Sequence, residues 1–280
     1  MYILVLCLIN YAKMNKELNI QTILDSVRQA GDLFLQEYKQ NAVPSTKEHF
    51  FTELGAIDER CMAILKAGLI SEFPDIPWNT IDEFDNNGQK QPLPLPEYWI
   101  CDAMDGAIQY LQHIPGWTIN LVLIRNGELH LSVIYDPLSD EMFWAREGEG
   151  AFMNDKPIRP IIKTDTDIMV AVFEYGHQEP AISGFNQKHG DAVADLLNKF
   201  GVVRNYGPHG LQLAYVGAGR IDVFHQLGLD TFNWLAGILI AREAGAEIFN
   251  AEGNKWVWGD ESLVVAAPGI AGWFNTGTNS

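Results

Sequence analysis

Two apolar runs joined by an Asn-Gly pair constrain the fold of this chain more than any other feature. The runs cover Thr118 to Ile124 and Leu129 to Tyr135, with Asn126-Gly127 between them. This arrangement is the strongest short-range signal for a β-hairpin, because both turn residues tolerate positive φ angles. A third run, Met142 to Arg146, follows a turn at Asp136-Pro137. The middle of the chain therefore predicts an antiparallel sheet.

Two helices are predicted before this sheet. Apolar residues from Leu18 to Tyr38 recur at the three-to-four spacing of an amphipathic helix. Lys47 to Ile57 is interpreted as a short mixed segment. A second helix is predicted from Ile57 to Phe73-Pro74, where proline cannot continue it. Asp58 lies at the head of this helix, where an N-cap is the ordinary role of an aspartate.

The second half of the chain alternates short apolar runs with helical patterns. The predicted strands are 168–173, 202–206, 221–224, 246–249 and 263–267, and the predicted helices are 191–200, 211–217 and 231–244. Such alternation predicts a helix-flanked α/β sheet. We therefore predict an α+β lobe over residues 14–163 and an α/β lobe over 164–280. Residues 1–13 are interpreted as an N-terminal extension, either a start-codon artefact or an added strand.

The chain is strongly acidic. Its 19 Lys and Arg against 36 Asp and Glu give a formal charge of -17. This charge repels nucleic acid backbones and anionic membranes, so neither is predicted as a partner. A small phosphorylated ligand would be repelled as well, unless bound cations reversed the local field. Acidity and a phosphate ligand are therefore most easily combined through a metal, although solubility alone also explains an acidic surface.

The cysteines indicate the compartment. Cys7, Cys61 and Cys101 are odd in number and have no paired spacing, which predicts reduced thiols in a cytoplasmic protein. The apolar start, Met1 to Leu8, lacks a basic region and a cleavage site and is too short to span a bilayer.

The stretch from Trp99 to Ala107 carries the strongest candidate site. Asp102 and Asp105 stand between an apolar lead-in and Gly106. A strand end with this spacing can present two hard oxygen ligands to a divalent cation, while the turn leaves room for a phosphate. On spacing alone, a solvated turn is the alternative.

Other candidate chemistry is weaker. No Gly-x-Ser-x-Gly elbow of a serine hydrolase is found in the sequence. The histidines lack metal-ligand spacing and are predicted to be surface or packing residues. The five of the seven histidines considered as candidates are His113, His177, His189, His209 and His225.

The motif and its surroundings resemble the inositol monophosphatase superfamily of magnesium-dependent, lithium-sensitive phosphatases. Trp99 to Ala107 is similar to that family's Trp-x-x-Asp-Pro-Ile-Asp-Gly-Thr signature. Residues 110–124, 133–137 and 145–154 continue the match, and 207–222 with 231–246 are similar to the C-terminal signature. The resemblance implies a layered αβαβα sandwich, a site between the lobes and a homodimer. It also implies Mg²⁺ ions that bind the phosphate of a small substrate and activate water.

The resemblance assigns a set of metal ligands. Asp102 and Asp105 match metal-ligand aspartates, and the carbonyls of Ile100 and Cys101 lie near the backbone ligand position. The family's Gly-Glu-Glu, which supplies a ligand shared by two metals, is represented by Asp82-Glu83, with Asp82 preferred over Glu83.

It also assigns phosphate-binding and catalytic positions. The amides of Gly106 and Ala107 would hold phosphate oxygens at a turn into a helix. Asp58 matches the aspartate that orients the nucleophilic water, and Lys47 matches a lysine of the mobile active-site loop. Ala107 replaces a threonine whose hydroxyl pairs with the Asp58 equivalent, so that relay is broken here.

The C-terminal signature also departs from the family. Trp-Asp becomes Phe232-Asn233, and replacing a carboxylate by Asn233 removes a charge from a second-metal site. Asp230 could compensate, or could be the N-cap of the helix. Gln226 replaces an acidic residue that contacts substrate hydroxyls in inositol-specific members.

Two hypotheses remain open on the sequence. The first is a Mg²⁺-dependent phosphomonoesterase that hydrolyses an inositol, sugar or nucleotide phosphate. The second is a catalytically impaired phosphatase-fold protein that binds a phosphorylated ligand or a partner. Asp58, Asp102 and Asp105 support the first, whereas Ala107 and Asn233 support the second.

Overall fold

Two β-sheets alternate with helices in this computed structural model, which describes residues 18–81, 85–176 and 184–274. The α-helices are α1 (Ile20–Glu37), α2 (Lys47–Leu69), α3 (Ala107–Leu111), α4 (Phe185–Lys199), α5 (His209–Gly217) and α6 (Thr231–Ala244). The strands of the first sheet are β1 (Glu97–Asp105), β2 (Thr118–Arg125), β3 (Glu128–Asp136), β4 (Glu141–Arg146), β5 (Gly150–Met153) and β6 (Lys156–Pro157). Those of the second are β7 (Val170–Tyr175), β8 (Val202–Arg204), β9 (Val223–Leu227), β10 (Glu247–Phe249) and β11 (Ser262–Ala266). Within the described ranges, no helix is both long enough and apolar enough to cross a membrane.

The first sheet is an antiparallel meander in the order β1 to β6. The predicted hairpin is confirmed, because Arg125 pairs with Glu128 around a two-residue turn. Asn126 and Gly127 in that turn have φ angles of 53° and 80°. These positive values are the ones that favour Asn-Gly at a tight turn.

The second sheet has the order β10-β11-β9-β7-β8. Strand β7 lies parallel to β8 and β9, whereas β9, β11 and β10 pair antiparallel. The predicted alternation therefore produces a mixed sheet. Its helices cover both faces, as the sequence predicted.

Side chains alternate across each sheet and build three apolar layers between the elements. Leu121 and Val133 face α1 and α2 on one side of the first sheet. On its other side, Val122 and Ile134 pack with α5, α6 and the inner face of the second sheet. The outer face of the second sheet packs against α4 through Leu196. The five-layered αβαβα sandwich is thus confirmed, while the lobe boundary at residues 163 and 164 stays a prediction.

Helix α2 corrects one prediction. It runs without interruption from Lys47 to Leu69, so Lys47 to Ile57 is helical rather than a short mixed segment. The hydroxyl of Thr46 accepts the capping hydrogen bond from the His49 amide at 3.2 Å. Asp58 therefore lies in the middle of the helix and is not an N-cap. The early turns are mostly exposed, which is why their apolar pattern is weak.

Glycine sets how closely α5 and α6 pack, and we predict that Gly237→Ala destabilises the protein. An added Cβ would overlap Leu213 and lie 3.1 Å from the Gly210 carbonyl oxygen. Overpacking of this kind costs about 1–3 kcal/mol. Gly190→Ala in α4 is the matched control, because among the described residues no side chain or backbone beyond its own helix turn lies within 4 Å of its added Cβ, and alanine favours a helix. Urea unfolding of both variants measures the difference, and equal stabilities would contradict this account.

Candidate active site

A bulge at the end of β1 presents the two motif aspartates. Asp102 pairs with Asn120 on β2 and Asp105 pairs with Thr118, and the register shifts between the two pairs. Gly106 follows with a φ of 89°, and a Cβ there would lie 2.5 Å from the Gly116 carbonyl oxygen. Only glycine fits this left-handed, crowded position. The bulge and the turn therefore place the carboxylates at the strand end, as the sequence predicted.

Asp105 joins the first sheet to helix α5. Its carboxylate is buried and accepts the backbone N–H of Gly210 at 2.7 Å and that of His209 at 3.3 Å. The side-chain amide of Asn120 donates a third bond at 3.1 Å. Burial raises the pKa of the Asp105 carboxyl, although the charge of His209 and the N–H donors oppose that rise. Asp105 thus satisfies the first amides of α5 from outside the helix.

The side chain of His209 lies between two further carboxylates. Its Nδ1 is 3.3 Å from Asp230 Oδ2, and its Nε2 is 3.6 Å from Glu174 Oε2. Burial alone would lower the pKa of His209, but the Glu174 hydrogen bond and the charges of Asp230 and Asp105 raise it to about 9. The ring is therefore an imidazolium at neutral pH. The sequence prediction of a surface or packing residue is wrong for His209.

Glu174, at the end of β7, is held firmly in place. Its Oε1 accepts the Gly207 backbone N–H at 2.9 Å and the Gln212 side-chain amide at 2.7 Å. Its Oε2 accepts the Asn205 side-chain amide at 3.1 Å. Burial would raise the pKa of Glu174, but His209 and these donors lower it overall. Glu174 is thus a buried carboxylate that remains ionised at neutral pH.

Asp230 is the third member of this polar group. It stands at the N-cap position of α6, but its side chain makes no capping hydrogen bond. Its oxygens instead accept Nδ2 of Asn233 at 2.7 Å and Nε2 of Gln226 at 2.9 Å. Gln226 is fully buried, and its own oxygen accepts the Trp234 indole N–H at 2.7 Å. In this structure Gln226 therefore lies in the protein interior, where it donates a hydrogen bond to Asp230, and it does not face solvent.

The N-terminus of α6 is capped from elsewhere in the chain. The side-chain oxygen of Gln89 accepts the Phe232 backbone N–H at 3.1 Å. The indole of Trp258 donates to the Gln89 carbonyl at 2.9 Å, which holds the buried glutamine in place. This cap explains why Asp230, predicted as a possible N-cap, turns towards His209 and Asn233 instead.

Cys101, another predicted residue, packs against α2. The thiols of Cys101 and Cys61 share a hydrogen bond, which together with burial and the charges of Asp102 and Asp58 raises the pKa of Cys101 well above its usual range. The Cys101 thiol is therefore protonated, and the ligand role predicted for the Cys101 backbone carbonyl stays a prediction. Asp58 and Asp102 both lie near it.

Two predicted positions are first residues of helices, and two lie outside the described residues. Lys47 is exposed at the start of α2, with its Nζ 5.7 Å from the centre of the Phe51 ring. Ala107 is half-buried as the first residue of α3. Asp82 and Glu83 fall in the gap between 81 and 85, outside the described residues.

The predicted metal ions require several carboxylate, histidine or cysteine side chains close together. In residues 18–81, 85–176 and 184–274, no group of three or more His, Cys, Asp or Glu side chains has the geometry to hold a metal ion. The predicted ligand set includes Asp82 or Glu83, which belong to the gap. The predicted site of Asp102 with Asp82 or Glu83 therefore stays a prediction.

Reasoning from the sequence overlooked Glu174, Gln212 and Asn120. A local signal existed for Glu174, since a single carboxylate in an otherwise apolar buried strand needs polar partners. Gln212 and Asn120 carry no such local signal. Their partners are distant in sequence, because Asn120 bonds Asp105 and Gln212 bonds Glu174, 38 residues away.

The fold and the bulged strand end are those of a layered phosphatase-type sandwich, and comparisons with known proteins agree. Residues 16–277 match the model of the inositol monophosphatase family. The chain belongs to the inositol monophosphatase family.

Individual relatives are distant. The Nus factor SuhB of Escherichia coli is 27% identical over 244 residues, which cover 86% of this chain and 87% of that protein. The inositol-1-monophosphatase of Mesorhizobium japonicum is 34% identical over 172 residues, 59% of this chain and 61% of that protein. The crystal structure of the extragenic suppressor protein suhB of Bartonella henselae has a TM-score of 0.74 at 23% identity, covering 92% of this chain and 99% of that one. This last likeness shows the fold.

We predict that His209 makes the stability of the protein depend on pH in the alkaline range. Its pKa is raised from the ordinary value of 6.5 to about 9 in the folded state, so the folded protein binds the proton more tightly than the unfolded chain does. The stabilisation is complete below pH 6.5 and is lost as the pH rises through 9. Urea unfolding of the native protein and of His209→Gln across this range measures it. A stability difference between the two proteins that stays constant with pH would contradict the prediction, as would an imidazole pKa near 6.5 by NMR.

Proposed function

We propose that this protein is a Mg²⁺-dependent phosphomonoesterase that hydrolyses a small phosphorylated metabolite. The observation that carries the proposal is the bulged end of β1, which presents Asp102 beside the left-handed turn at Gly106 in a chain of the inositol monophosphatase family. Carboxylates at such a strand end supply hard oxygen ligands, and amides at the following turn can donate to an anion.

The residues for one ion are Asp102 together with Asp82 or Glu83. When bound, Mg²⁺ would neutralise phosphate charge and lower the pKa of a coordinated water. The amides of Gly106 and Ala107 are proposed to hold phosphate oxygens. Asp58, which lies near Cys101 together with Asp102, is proposed to orient the water. Ala107 has no hydroxyl to share this task, so we expect slow turnover.

The substrate is proposed to be small and singly phosphorylated. The formal charge of -17 disfavours polyanions such as nucleic acid over the surface as a whole. Inositol phosphate is the first compound to test, because one relative is named an inositol-1-monophosphatase. The cytoplasmic location and the homodimer stay predictions.

A specific observation supports the alternative of ligand binding without turnover. Asn233 stands where the family carries a carboxylate ligand, and its side-chain amide donates to Asp230 at 2.7 Å, so an N–H donor replaces an anionic oxygen there. A relative of similar length is named a Nus factor rather than a phosphatase. The absence of a hydroxyl at Ala107 also favours ligand binding without turnover.

Phosphate release over a panel of inositol, sugar and nucleotide phosphates in a Mg²⁺ series separates the two functions. We predict that Asp102→Asn lowers kcat/KM by at least about 100-fold, since even the loss of groups that only support a metal ligand costs 10–100-fold. Asp155→Asn, in the exposed turn between β5 and β6, is the matched control and should keep native activity. Equal release by native protein and Asp102→Asn would indicate contamination. No release by the native protein, with turnover in Ala107→Thr/Asn233→Asp, would establish the binding function instead.

A further inference from the structure

We propose that His209 takes the place of a second divalent ion in this cleft. The carboxylate cluster, defined as Asp105, Glu174 and Asp230, would then bind no Mg²⁺ in addition to the ion at Asp102. The inference rests on the proposed function for that first ion. The resemblance implies instead that Asp105 is a metal ligand and that Asn233 belongs to a second-metal site, and the arrangement of donors here does not fit those roles.

Every oxygen of the carboxylate cluster faces N–H donors of the chain itself. A lone pair that accepts an N–H bond is not available to a metal, and Mg²⁺ requires several oxygen ligands in near-octahedral geometry. Two backbone amides and one side-chain amide bind Asp105, and the other two carboxylates each have at least two amide donors and one nitrogen of His209. The amide donors are His209 N, Gly210 N and Asn120 for Asp105, Gly207 N, Gln212 and Asn205 for Glu174, and Gln226 and Asn233 for Asp230.

The imidazole of His209 fills the space that an added cation would need. Its two ring nitrogens face Asp230 and Glu174 at 3.3 and 3.6 Å, so the ring bridges the carboxylates. Its side chain is only 13% exposed. Because the ring is fixed by residues on β7 and at the start of α6, a metal could enter only by displacing it. A side chain rather than an ion therefore bridges the carboxylates Asp230 and Glu174.

Asn233 completes this arrangement. Its amide nitrogen donates to Asp230 Oδ1 at 2.7 Å and so relieves the charge of that carboxylate. A carboxylate at this position would face Asp230 without a proton between them, and the repulsion would favour a bound cation. His209 and Asn233 therefore act together, and restoring metal binding requires changing both.

Counting bound Mn²⁺ by calorimetry and by electron paramagnetic resonance tests this inference in four proteins. These are the native chain, Asn233→Asp, His209→Gln and the double variant. We expect only the double variant to bind one more Mn²⁺ than the native protein. Asn233→Asp is the critical control, because it supplies the carboxylate while His209 remains in place. Circular dichroism and thermal unfolding verify folding, and His209→Ser replaces His209→Gln if the latter does not fold.

The outcomes of this experiment test the role of His209 separately from the proposed function. An extra ion in Asn233→Asp, with His209 intact, would overturn the inference. No extra ion in the folded double variant would overturn it as well. A native protein that binds no Mn²⁺, beside a double variant that binds one, would support the role of His209 and contradict the metal site at Asp102 instead.

Discussion

The hydrogen bonds between Asp105 and the start of α5 are the interaction on which the site depends. They connect the last residue of β1 in the first sheet to a helix that packs against both sheets. Burying a carboxylate is costly unless donors compensate it, and here two helix amides and Asn120 do so. The same contact fixes His209, the first residue of α5, within reach of Asp230 and Glu174. One carboxylate therefore positions both the motif strand and the histidine opposite it.

Much of the fold follows from local patterns. Asn126-Gly127 between apolar runs predicts the hairpin, and alternating patterns after residue 168 predict the second sheet, because turn chemistry and side-chain periodicity are local properties. The same reasoning failed at Lys47 to Ile57. The early turns of α2 bury little, so no clear stripe distinguishes them from a loop, and the Thr46 cap was overlooked.

The site was less predictable for a physical reason. The spacing of Asp102 and Asp105 indicates a strand end, but it does not reveal which donors meet those carboxylates. His209 carries no ligand spacing, yet its charge state is set by Glu174 and Asp230, which stand 35 and 21 residues away in the sequence. Such electrostatic partners are defined by tertiary structure alone. Asn233 differs in this respect, because the partner that sets the direction of its amide, Asp230, lies only three residues away.

The cap that Gln89 supplies to α6 has a consequence for how the protein folds. The bond from Phe232 to Gln89 spans 143 residues, and that from Gly210 to Asp105 spans 105. Closing loops of this length costs entropy that only the assembled core can offset. We therefore expect the ends of α5 and α6, and with them the polar cleft, to form after the two sheets have come together. Neither sheet on its own would contain the cleft. A ligand that binds there would therefore bind only the assembled sandwich.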